Sequence, residues 1–226
     1  MKIKSTLLAL AAFSVLATIS SQAAVLLQFD FTGSTAAAAS NTQSSTFSTT
    51  NVSASTITRG AGIDANNAAN SFRGTGFSNN GIALANTDFF QFTVSASGAN
   101  PLTIQSITGN FNGTASFTAS PGVTLGYGYS TDGGATFTLA PTFTQVGAGV
   151  ATYTFTGADA TALTNVNSAT FKLFASGQTT TGGFGYQSAA TAGTIGLQVD
   201  GIAPVPEPSS ALLGALGFLA LLRRRR

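Results

Sequence analysis

Val123-Thr124-Leu125-Gly126-Tyr127-Gly128-Tyr129-Ser130 places a large apolar side chain at every second position and a small or polar one between. Successive side chains of an extended chain point to opposite faces, so this run is a half-buried β-strand with Val123, Leu125, Tyr127 and Tyr129 turned toward a core. A helix would scatter the same four residues around its circumference. Thr131-Asp132-Gly133-Gly134 follows at once, and Asp-Gly-Gly between two strands is a turn.

The same period of two recurs on both sides of this hairpin. Leu27, Phe29 and Phe31 alternate with Gln28, Asp30 and Thr32, and Phe90, Phe92 and Val94 with Gln91, Thr93 and Ser95. Tyr153 and Phe155 sit between threonines, Phe171 and Leu173 flank Lys172, and Ile195, Leu197 and Val199 close the series. Nine or ten such strands, bounded by Gly, Asn, Pro or Asp, call for two packed sheets. The expected fold is all-β, a jelly-roll-like antiparallel β-sandwich. The only helical hint is a single turn at 158–165. Residues 33–58, rich in Ser, Thr, Ala and Asn, read as a long loop with one edge strand.

Charged residues are only 7% of the 226, against about a quarter in an average globular chain. The net charge of +2 misleads, because Lys2, Lys4 and four C-terminal arginines supply most of the basicity. Between the ends, Arg59, Arg73 and Lys172 stand against six aspartates, a net of −3. That balance excludes nucleic acid as a partner. The chain has no cysteine and no histidine, which removes disulfides, Cys/His metal sites and every mechanism that needs an imidazole base.

The two ends carry targeting chemistry. Lys2 and Lys4 precede an apolar stretch at 7–19, and Ser21-Gln22-Ala23 follows. A basic start, a short apolar run and a small-x-Ala site make a secretory signal helix over residues 1–23, cut between Ala23 and Ala24 by signal peptidase after use of the export machinery. The exported domain then spans 24–203. At the other end, Pro204-Val205-Pro206-Glu207-Pro208 is a stiff extended spacer. A short hydrophobic helix is expected at 211–222, followed by Arg223, Arg224, Arg225 and Arg226, which hold the extreme end in the cytoplasm by the positive-inside rule. Twelve helical residues span ~18 Å, short of a ~30 Å bilayer core, which suits a transient sorting signal.

Residues 204–226 resemble the PEP-CTERM sorting signal, with Val205, Pro206, Glu207 and Pro208 as its motif. The resemblance implies an exosortase-type membrane protease that recognises this motif and releases or transfers the domain. It also implies attachment to the inner membrane through the helix before processing, and a destination at the cell envelope, cell surface or exopolysaccharide matrix. Residues 86–201 more loosely resemble exported domains that carry such tails, through Asp88-Phe89-Phe90, the 129–137 hairpin and the 196–202 strand.

Candidate sites within the domain are few. Ser130-Thr131-Asp132-Gly133-Gly134-Ala135-Thr136-Phe137 matches the Asp-box pattern, whose role is a structural hairpin, and it occurs once. Asp30 and Asp200 lie on strands at opposite ends of the domain; were those strands neighbours, the pair would be a candidate calcium site, against the plainer reading of two exposed strand residues and no cofactor. Asp64 and Asp88 are a candidate catalytic pair without supporting spacing. Tyr127 and Tyr129 are expected in the core, and the bare face Gly126, Gly128, Ser130 invites close approach by something else. Phe89, Phe174 and Phe184 are expected as exposed contacts. The leading expectation is a non-enzymatic exported surface or matrix protein with no catalytic residues. The alternatives are a carbohydrate-binding module and, third, a glycan-cleaving enzyme.

Overall fold

The computed structural model describes residues 23–34, 42–66, 68–114, 117, 120–177, 183–188 and 194–204. The expected signal helix and the 211–222 helix lie outside these residues. Strands are numbered along the chain: β1 Ala24–Phe29, β2 Thr42–Ser44, β3 Phe47–Ser48, β4 Thr56–Arg59, β5 Asp64–Asn66, β6 Ser71–Thr75, β7 Phe89–Ser95 and β8 Thr103–Gly113. After them come β9 Val123–Ser130, β10 Thr138–Leu139, β11 Phe143–Gln145, β12 Gly149–Thr154, β13 Ser168–Ser176, β14 Phe184–Gln187 and β15 Leu197–Ile202, with one short helix, α1 (Gly157–Ala162), between β12 and β13.

These strands form two antiparallel sheets, a jelly-roll-like sandwich as the period-two pattern requires. One sheet runs β3-β1-β15-β8-β14-β6-β5, with β12 also on β8; the other runs β10-β9-β13-β7-β4-β2, with β11 also on β9. The eleven-residue β8 organises the first sheet. Along one of its edges β15 and β14 follow in succession, Leu197 opposite Gly109 and Tyr186 opposite Phe111, while β12 takes the other edge.

The core is aromatic. Phe90, Phe92, Phe171 and Leu173 from the second sheet meet Phe29, Phe72, Phe111 and Tyr186 from the first, all essentially enclosed. Ring pairs such as Phe29–Phe92 at 6.1 Å and Phe90–Tyr186 at 5.7 Å join the sheets edge-on or tilted. That geometry adds about 0.5–1.5 kcal/mol per pair beyond burial of the rings.

Three expectations need correction. The stretch read as a long loop with one edge strand, 33–58, carries β2, β3 and most of β4. Segments of two to four residues are too short to display an alternation. Phe174 and Phe184 are not exposed contacts; they are 0% and 2% exposed. Phe184 faces the core, stacked on Phe117 at 5.1 Å, and Phe174 is covered from outside by a loop described below. Tyr127 and Tyr129 are buried as expected, and α1 falls where the helical turn was read.

Candidate functional site

Both ends of the exported domain emerge at one pole. The first strand, β1, pairs antiparallel with the last, β15, so Ala24 sits opposite Gly201. Ala23 and Ala24 are exposed, which leaves the expected cleavage bond at the surface. At the other terminus the carbonyl of Pro204 accepts a hydrogen bond from Asn51 Nδ2 at 3.2 Å. Asn51 adopts φ +72°, a left-handed conformation that asparagine tolerates in turns. Its own carbonyl accepts from the Ser97 N–H at 2.9 Å, which fastens the turn to the end of β7. Gly201, three residues before Pro204, is required by contact: a Cβ there would lie 2.1 Å from the Thr103 carbonyl oxygen. The sorting residues Val205, Pro206, Glu207 and Pro208 and Arg223 to Arg226 lie outside the described residues, but the chain that leads to them leaves from this pole.

Beside the exit is a cleft of about 400 Å³, lined by Thr103, Gln105, Ser106, Thr154 and Thr164 over Phe155 and Ile104. Its lining carries no charge. Hydroxyl and amide groups stand there over an apolar floor.

The aspartates are scattered and mostly committed. The expected meeting of first and last strands is real, but its register separates Asp30 from Asp200. Asp200 lies opposite Val25, whereas Asp30 follows Phe29 at the far end of the same strand pair. Five residues at ~3.3 Å each put the two carboxylates on the order of 15 Å apart, and calcium ligands lie ~2.4 Å from the ion. One ion therefore cannot bind both, so the register corrects the expectation of a calcium site at this pair. Burial raises the Asp200 carboxyl, opposed by a hydrogen bond from Gln198 Nε2 at 2.8 Å. For Asp30 burial acts in the same direction, but hydrogen bonds from Thr32 and Ser188 outweigh it and hold the group below its ordinary value.

Asp132 is a turn residue, as the Asp-box pattern implies. It accepts from the Ser130 hydroxyl at 2.7 Å and from the Thr136 N–H at 3.0 Å, while Gly133 and Gly134 take positive φ to reverse the chain. Asp159 accepts from the Tyr129 hydroxyl at 2.8 Å and ties α1 to β9. Asp88 is buried and accepts from the Ser78 N–H at 2.7 Å, whereas Asp64 is exposed on an edge strand.

The bare face of β9 proves to be a docking floor. Residues 76–88 fold over the outside of the second sheet, bringing Ile82 against Gly126 and Leu84 against Gly128. Asn79 Nδ2 donates to the carbonyls of Asp88 and Ala175, and Gly81 N–H donates to Ser176 Oγ. Next to this loop lies a cluster that sequence reasoning missed. The Lys172 ammonium sits 4.4 Å from the Phe89 ring centre and 4.2 Å from that of Phe137. Of the three phenylalanines expected at the surface, only Phe89 is part-exposed, and it belongs here. The one signal for the cluster was that Phe89 and Lys172 share the outward phase of neighbouring strands.

Comparison with known families matches the PEP-CTERM protein-sorting motif to residues 204–226. A comparison with curated protein sequences finds no match. Among solved structures, the chain is similar to a xylan-binding module, CBM15, at 12% identity and a TM-score of 0.39 over 75% of this chain and 95% of that one. The chain thus carries a PEP-CTERM sorting motif, which implies export, association with the envelope and processing by exosortase-type machinery. Among the described residues no helix is long and apolar enough to cross a membrane.

Proposed function

We propose that this chain is a non-enzymatic protein of the cell surface or extracellular matrix, delivered and released through its C-terminal tail to associate with exopolysaccharide. The observation that carries the reading is the sorting motif at 204–226, which follows directly on the pole where β1 begins and β15 ends. In this reading signal peptidase frees Ala24, the 211–222 helix holds the domain at the inner membrane for a time, and cleavage near Pro206-Glu207-Pro208 ends that attachment. No cofactor is invoked.

Two features support a role without catalysis. The chain has no histidine or cysteine, and its single glutamate, Glu207, belongs to the tail. Asp30, Asp88, Asp132, Asp159 and Asp200 each take part in local hydrogen bonds of turns, strands or the α1 contact. The carbohydrate-binding alternative is favoured by one surface. The cleft beside Thr103 brings the hydroxyl and amide groups of Thr103, Gln105, Ser106, Thr154 and Thr164 over an apolar floor of Ile104 and Phe155, with no charge in its lining.

The test is co-sedimentation of the exported protein with the polysaccharide of its own producer, with reducing ends assayed in parallel. Retention without new reducing ends is expected. Release of reducing ends that disappears on replacing an aspartate would contradict the reading and select a glycan-cleaving enzyme.

A further inference from the structure

The sandwich protects its sheet edges unevenly. Strands β3 and β5 that close the first sheet have two and three residues, and β2 that closes one side of the second has three. On the remaining side of the second sheet the edge is broken into β10 and β11 by Ala140-Pro141-Thr142. Short edges and an edge proline are the ordinary means of preventing strand addition. β12 has neither. It is six residues long, its only strand partner among the described residues is β8, and Val150 is 61% exposed. No charged residue occurs between Asp132 and Asp159, so no lysine or glutamate guards this edge.

The pairing of β12 also says which of its groups are open. The Phe155 N–H donates to the Gln105 carbonyl of β8 at 3.0 Å. Backbone direction alternates along a strand, so Tyr153 and Ala151 also turn their N–H and C=O groups to β8. Val150, Thr152 and Thr154 turn theirs outward.

We propose that β12 pairs antiparallel with β12 of a second copy of this chain, about a two-fold axis at Thr152, joining two eight-stranded sheets. An uncharged strand meets its own copy with no like charges brought together, and a two-fold axis lets the same outward groups of each copy pair with their counterparts. Centring on Thr152 places Val150 of one copy opposite Thr154 of the other and uses all three outward-directed residues of each strand. A two-fold axis at Ala151 would leave Thr154 without its strand partner.

The test is the mass of the exported full chain by light scattering or sedimentation up to about 100 µM, the regime of small interfaces. A dimer is expected. Thr152→Lys should weaken it by about tenfold or more, since two ammonium groups then face each other across the axis. Its circular dichroism should match the parent, because the side chain is exposed and the one hydrogen bond it loses, to Thr108 Oγ1 at 2.9 Å, lies at the surface. The double variant V150E/T154K, which sets two opposite-charge pairs across the same axis, should tighten the dimer relative to the parent. In this cysteine-free chain T152C should form a disulfide-linked dimer on mild oxidation, the facing Cα atoms of such a pair lying ~5.5 Å apart. A monomer throughout that range, or a dimer indifferent to T152K, overturns the proposal.

Discussion

At Asp132 the carboxylate accepts hydrogen bonds from the Thr136 hydroxyl, the Thr136 N–H and the Ser130 hydroxyl, and these hold it well below the usual carboxylate range. The folded value therefore lies below the unfolded value of ~3.9. The stabilisation these bonds give the hairpin is present above pH ~4 and is lost as pH falls through the folded value. Asp132→Asn should flatten the acid limb of stability, read as the urea midpoint between about pH 4.5 and 2. An unchanged acid limb would mean that the hairpin does not depend on the charge. The tyrosines report the opposite limb. Burial raises all four, Tyr129 to about 12 with help from Asp159, and Tyr127 and Tyr186 face each other at 3.4 Å in the core. Their folded values exceed the unfolded ~10, so stability is intact below pH 10 and declines as pH rises beyond it. Phenolate absorbance should appear together with loss of near-ultraviolet circular dichroism. Ionisation of Tyr127 or Tyr186 near pH 10 in the folded chain would contradict their burial. Both residues were legible from sequence, Asp132 by its turn chemistry and Tyr127 by its phase.

At the scale of elements, the 76–88 loop carries an energetic prediction. Asn79 Nδ2 satisfies two carbonyls, Asp88 at 2.9 Å and Ala175 at 3.0 Å, and Asn79→Ala leaves both to find other partners. A cost of about 1–3 kcal/mol is expected, or several degrees in melting temperature for a chain of this size. Gly126→Val adds a Cβ that would sit 2.8 Å from Ile82 Cγ2, so the loop must lift. The expected loss is about 1–3 kcal/mol, and the loop's amides should exchange with solvent faster than those of β13. The strands β7, β9 and β13 could be read from alternation because each is seven to nine residues long. The short β2, β3, β5, β10 and β11 could not. Phe174 was misjudged for a related reason: its phase points outward correctly, but only the folded loop shows that outward is still covered.

For the molecule as a whole, the C-terminal tail was the most legible part, since proline spacing, apolar length and charge act locally and need no tertiary partner, and a family comparison matches it. The sandwich followed from the period of the strands. What could not be read was register. The sequence pattern allows β1 and β15 to meet, but only the pairing of Ala24 with Gly201 shows that it gathers both termini at one pole and carries Asp30 away from Asp200. The charge-free edge strand is a similar case, because its neutrality is visible in the chain while its edge position is not. The central claim is that the folded domain is exported, attached briefly by its tail and then freed from it. Intact mass of the protein recovered outside cells of its natural producer tests that most directly. The account predicts a species beginning at Ala24 and ending near Pro206-Glu207-Pro208, without the arginine tail. A membrane-bound species that still ends in Arg226 would contradict it and make the tail a permanent anchor.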